Sequence, residues 1–281
     1  MKFKTAMGIA AAVLLSSSCG KIYDVNGMDW QPDTPPSDSV FNREIQILNL
    51  GAHLPEGHVP ADDEDPMFFS LEKFNSVAIG YRSTDRWDIA FSGYYRTEIS
   101  ANNGTKQGFG YGTSAIGGIA WLDAGFDEVT DIPDDSQFTY PGLSGLDDQG
   151  AFGKPGGHIL YTFFGNQLRP DIMKDDNSAD PAVQAKVDSY KHMMYCLSQE
   201  LVNMFKDVYP LKPRTLIIKT AKGNFAKLET QSIYQDIMNP MDMHRGNDVH
   251  YPVYSFRYVI IPASERRFGF QITRPKLTVK L

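Results

Sequence analysis

The side chains in this sequence that can bind or transform something fall into a few small groups, and their spacing limits what each can do. His158 follows Gly153-Lys154-Pro155-Gly156-Gly157 and opens an apolar run, Ile159 to Phe164. It is either a turn residue or a ligand presented at the mouth of a strand. His192, Met193, Cys196 and Met204 fall in a stretch whose apolar residues recur every three or four positions. Methionines there are packing material, and a thioether can also reach a ligand held between a helix and a sheet. His53 and His58 share a loop with Pro55 and Gly57, and without a helix to bring both rings to one face they do not spell a zinc site. Asp62-Asp63-Glu64-Asp65 lacks the spacing of a calcium loop and reads as a solvated turn. Met238, Met241, Met243, His244 and His250 are soft donors that suit copper, but no spacing fixes a geometry. Gly112-Thr113-Ser114-Ala115-Ile116 departs from the nucleophile elbow at its last position, and Gly142-Leu143-Ser144-Gly145 fails as well. No carboxylate spacing selects an acid–base pair. The pattern favours binding over catalysis, so the chain is not expected to be an enzyme.

The elements that position these groups are expected to be strands. In 281 residues, 12% aromatic content with 24 Gly and 17 Pro favours sheets and turns in one domain over residues 41–281. Residues 86–113 form its spine: Trp87, Ile89, Phe91, Gly93 and Tyr95 share one face of a strand, and a glycine-rich loop follows without the lysine of a phosphate loop. Further strands are expected at 41–50, 67–79, 116–122, 126–129 and from 158 onward. A hairpin is expected over 215–220 and 225–234, then a strand at 254–261 and a final pair at 268–273 and 277–281. The exception is a single amphipathic helix over 181–207. Asp180-Pro181 opens it, and Val183, Val187, Tyr190, Met194, Leu197, Leu201 and Phe205 form its stripe. Met193 and Met204 then lie at the stripe's edge, with His192 and Cys196 facing away. The expected fold is mainly β, built of twisted antiparallel sheets with that one helix.

The first residues are set apart. Lys2 and Lys4 precede a short apolar run at 6–15, well under the roughly 20 residues of a membrane span. Ser16-Ser17-Ser18-Cys19 then resembles a bacterial lipoprotein signal, with Ser16 where leucine is usual. In that reading residues 1–18 are a signal peptide and Cys19 carries the lipid. Residues 19–40, with Pro32, Pro35 and Pro36, become a flexible tether. The net charge of −7, more negative once Lys2 and Lys4 are removed, argues against a nucleic-acid partner. With Cys19 lipidated, Cys196 is alone and there is no disulfide framework.

Several short stretches in order resemble one family. They are the lipoprotein signal, Trp87-Asp88-Ile89-Ala90-Phe91 running into Tyr95-Arg96-Thr97, the glycine-rich loop to Gly112, and Phe126-Asp127-Glu128-Val129-Thr130. Next come the hairpin beginning Leu216-Ile217-Ile218-Lys219 and the strand Tyr254-Ser255-Phe256-Arg257-Tyr258. Together, over residues 41–261, they resemble the HmuY-like family of Bacteroidetes haem-binding lipoproteins. The resemblance implies lipid attachment to the outer membrane, at the cell surface or at the periplasmic face, and iron acquisition through capture of haem b for a TonB-dependent outer-membrane receptor. It implies two axial iron ligands, histidines in some members and methionines in others. The family's first ligand sits in a glycine-containing turn before a strand, which selects His158. The second falls near Met204, with Met193 and His192 as alternatives. Tyr161, Phe163 and Phe164 are the expected slot lining. A His/Met pair would raise the iron's reduction potential relative to two histidines. The alternative is a surface lipoprotein of the same fold that binds another ligand, a glycan or a protein without haem.

Overall fold

Alternating apolar residues build two sheets that face each other across one core. The computed structural model describes residues 40–51, 58–61, 63–140, 143–145, 156–269 and 274–281. The signal peptide, Cys19, most of the tether, His53 and Asp62 lie outside the described residues. The larger sheet has the order β13 (Leu277–Lys280), β1 (Glu44–Leu50), β12 (Tyr254–Ile261), β11 (Phe225–Ser232), β10 (Thr215–Lys219) and β6 (Gly118–Leu122). The second has the order β3 (Asn75–Val77), β2 (Met67–Ser70), β4 (Ile89–Ser92), β5 (Glu98–Ala101) and β7 (Leu143–Ser144). A separate two-stranded ladder pairs β8 (Ile159–Tyr161) with β9 (Met194–Cys196). The fold is mainly β, as its composition suggests.

Period-2 alternation decides which side chains meet. On β12, Tyr254, Phe256, Tyr258 and Ile260 enter the main core, and Ile261 joins Ala120, Ile217 and Phe225 on the outer face under Phe138 and Phe268. Ile89, Phe91 and Phe69 approach from the second sheet, with ring contacts at 5.4 Å for Phe69 to Phe256 and 4.5 Å for Phe91 to Tyr254. Each such fully buried ring contributes on the order of 1.5–3 kcal/mol.

Several expectations change in the structure. Trp87 does not share the face of Ile89 and Phe91; it precedes β4 and packs with Phe68 and Ala90 on the other side. The 67–79 strand is a hairpin, broken at Phe74, whose φ is +45°. Residues 126–129 form a turn rather than a strand, drawn onto the sheet because the Lys227 ammonium donates to the carbonyls of Phe126 and Val129. β13 pairs with β1, in parallel, so the larger sheet is mixed and not wholly antiparallel.

The long helix is the largest correction. Residues 181–207 form α2 (Pro181–Ser189), then β9, then α3 (Gln199–Phe205); a one-turn helix, α1 (Pro170–Met173), precedes them. Asp180 caps α2 as expected, accepting from the Ala182 N–H at 2.8 Å. The helix ends at Ser189, the chain turns through His192, with φ +53°, and Met194–Cys196 joins the ladder with β8. Met193, Met194, Tyr195, Cys196 and Leu197 are all buried. An amphipathic helix cannot bury so many consecutive side chains, whereas a covered strand can.

Candidate ligand-binding site

His158 is where the resemblance puts a ligand, and its surroundings make it a core residue. Gly156, with φ +90°, sets the approach to β8, and a Cβ there would collide with the Trp121 indole. The Gly157 carbonyl accepts from Arg214 Nη1 at 2.7 Å, which fixes the turn. The His158 ring then points inward with 1% exposure. Its Nε2 lies 2.9 Å from the Thr97 carbonyl and its Nδ1 3.0 Å from Thr230 Oγ1. A carbonyl can only accept, so Nε2 carries the proton and Nδ1 accepts from the threonine hydroxyl. Burial lowers the ring's pKa to about 4 against the support of Thr97. Both nitrogens are committed, and His158 has none to offer an iron.

Met204 and Met193 stand apart from each other and from His158. Met204 is 38% exposed on α3, while His158 is sealed in the core, so the two do not face a common slot. Met193 is not at a helix edge; it is fully buried, and its Sδ accepts from the Tyr234 hydroxyl at 3.6 Å. Cys196, expected to face away, is buried in β9, where burial pushes its thiol up to about 12.

His192 has a different environment. It is half-buried at the end of the β8–β9 ladder, and its backbone N–H donates to the Phe163 carbonyl at 2.6 Å. Both residues have positive φ, +53° each, a conformation that bulky side chains rarely adopt and that the ladder imposes here. The result is an aromatic corner. Phe163, Phe164 and Tyr161 lie 5.6, 5.1 and 5.9 Å from the His192 ring, and Phe164 is 68% exposed. His192 Nδ1 lies 2.7 Å from the Tyr161 hydroxyl. Unlike a carbonyl, a phenol can accept as well as donate, so it can hold Nδ1–H and leave the Nε2 lone pair outward. Nε2 has no hydrogen-bond partner among the described residues. Burial, with smaller contributions from Arg245 and Lys191, lowers the ring's pKa, so it is neutral at pH 7, the form that binds metals. Beside the corner an open hollow of about 550 Å³ is lined by Phe163, Phe164, Asn166, Pro170 and Met173 among others.

Of the sequence-selected residues, His192 and the aromatics Tyr161, Phe163 and Phe164 are brought together; His158, Met193 and Met204 are not part of that corner. Met173 lines the hollow, and its isolated position in the sequence carries no signal for that place. His58 pairs with Glu64 at 2.9 Å. Among the described residues no three His, Cys, Asp or Glu side chains gather as a metal site, and no helix is long and apolar enough to cross a membrane. The chain matches no family model and no curated protein.

Proposed function

We propose that this protein is a lipid-anchored haem-binding protein of HmuY type, which takes up haem at the His192 corner and passes it to a TonB-dependent outer-membrane receptor. The observation that carries the reading is the His192 imidazole, neutral, oriented by Tyr161 and set among Phe163 and Phe164 with its Nε2 unbonded among the described residues. A porphyrin needs a flat apolar contact and a nitrogen or sulfur donor. The corner supplies the contact and His192 the donor, so the residues present fit the group; the Met173 thioether lies in the adjoining hollow. Lipid attachment at Cys19 and the receptor rest on the signal and the family resemblance. Haem, when bound, supplies the iron that makes the complex a cargo for transport, and the chain's own part is to hold and orient it.

A second reading has one observation in its favour. His158, the ligand that the resemblance selects, is bonded at both nitrogens. A protein of this fold that binds a different flat apolar ligand at the same corner, without iron ligation, would look the same. Titration of the purified protein with haemin separates the two. The expected result is a saturable, sharpened Soret band that His192→Ala shifts or abolishes and His158→Ala leaves in place. Absence of such a band in both redox states rejects haem. A band that responds to His158→Ala and ignores His192→Ala moves the site back to the core.

A further inference from the structure

Three arginines that sit among the packed elements have carboxylate partners. Arg169 meets Asp171 at 3.0 Å, Arg214 meets Asp123 at 2.9 Å, and Arg257 meets Glu229 at 2.7 Å. Arg245 does not. It is half-buried, its backbone N–H is tied to the Ser189 carbonyl at 2.8 Å, and its Nε donates to the Tyr251 hydroxyl at 3.2 Å. No carboxylate of the described residues lies within ion-pair distance of its two terminal nitrogens, in a chain with 34 acidic residues against 27 basic ones. Tyr251 stacks on Tyr95 at 6.1 Å and lies 5.7 Å from the Tyr234 ring. Tyr234 in turn donates to Met193, the neighbour of His192. A chain of contacts through Tyr251, Tyr234 and Met193 thus links Arg245 to the residue beside His192, and the positive charge of Arg245 is felt at both His192 and Tyr161.

We propose that Arg245, backed by Tyr251 and Tyr95, recognises a carboxylate on the ligand whose flat apolar part lies against Phe163, Phe164 and His192. A guanidinium presents a fork of N–H donors that matches a carboxylate, and a rim of tyrosine rings lowers the local dielectric without neutralising the charge. The ligand class is thus a flat aromatic acid. The inference extends the haem reading, since a porphyrin with acidic side chains belongs to that class.

The test uses iron-free protoporphyrin IX, a diacid, and its dimethyl ester, with binding followed by fluorescence on the wild-type protein, Arg245→Met and Arg245→Lys, each checked for folding by circular dichroism. The wild type is expected to prefer the diacid by about tenfold or more. Arg245→Met should lose that preference while keeping its affinity for the ester, and Arg245→Lys should recover part of it. Equal affinity of the wild type for acid and ester, or a preference that survives in Arg245→Met, overturns the role of Arg245 and leaves the haem reading standing. If neither porphyrin binds, the haem reading is left to the haemin titration, because an iron-free ring cannot be ligated by His192, and pyrenebutyric acid is compared with pyrenebutanol. A preference for the acid that Arg245→Met removes then supports carboxylate recognition, and no preference rejects it.

Discussion

At His158 the Thr97 carbonyl keeps a proton on Nε2 and burial holds the pKa near 4, so the ring is neutral in the fold, whereas an unfolded histidine titrates near 6.5. Between those values the unfolded chain binds the extra proton. The contribution to stability is therefore complete above about pH 6.5 and is lost as the pH falls towards 4, by at most about 1.4 kcal/mol per unit. Relative to His158→Gln, the wild type should lose about 2 kcal/mol of unfolding free energy between pH 7 and pH 5, measured by urea denaturation. Parallel curves for the two proteins would show that the ring is not held neutral. His192 shows what sequence conveys at this scale. Its residue type marks it as a possible donor, but its availability depends on the partner of Nδ1, and Tyr161 is far from it along the chain. Gly156-Gly157-His158 was legible as a turn into a strand. Which way the imidazole points was not, because that is set by Thr97, just before β5, and by Thr230 on β11.

At the scale of elements, period-2 alternation made most strands readable, since each has one face on a core that the sequence marks with aromatic and branched residues. The stretch after Asp180 misled for a physical reason. Val187, Met194, Leu201 and Phe205 do recur at helical intervals, but two short helices and a strand, with Val187 in a small cluster beside Ile172 and Tyr190 and the other three in the main core, produce the same spacing. The unbroken run Met193 to Leu197 was the signal against a helix, because five apolar positions in succession cannot share a helix face. Ser198 distinguishes the two arrangements by experiment. Its hydroxyl accepts from the Leu201 N–H at 3.1 Å as the N-cap of α3. Ser198→Ala should therefore cost about 1 kcal/mol in chemical denaturation. Inside a continuous helix the same change would be neutral or stabilising, because alanine has the higher helix propensity.

The two sheets are joined by more than ring packing, and the joint should make the whole molecule sensitive to pH. Asp88, at the start of the spine strand, accepts through Oδ2 from the Leu71 N–H at 2.7 Å, and through Oδ1 from the Ala221 N–H at 3.0 Å, in the turn of the β10–β11 hairpin of the other sheet. Tyr258 reinforces the joint by donating to the Leu71 carbonyl at 2.8 Å. Burial, then the nearby Glu72 carboxylate, raises the Asp88 pKa from 3.8 to about 7, despite the opposing N–H donors. Tyr258 and Lys73 also feel its charge. A folded-state pKa above the unfolded one means that the fold retains a proton the unfolded chain releases, so stability falls as the pH rises from about 4 to 7. Asp88→Asn does not titrate, but it turns an amide N–H₂ towards backbone donors, at a cost of about 1–3 kcal/mol. Two effects therefore separate in one measurement. At pH 5 the wild type should be the more stable protein, and by pH 8 it should have lost about 2–3 kcal/mol relative to the variant. A gap that stays constant across that range would mean the carboxylate is ionised throughout, with the N–H donors outweighing burial. The sequence placed Asp88 on the spine strand, on the opposite side from Ile89 and Phe91. That it bridges two sheets depends on the Ala221 turn, which lies far beyond it in the chain and reaches it only when the sheets close face to face.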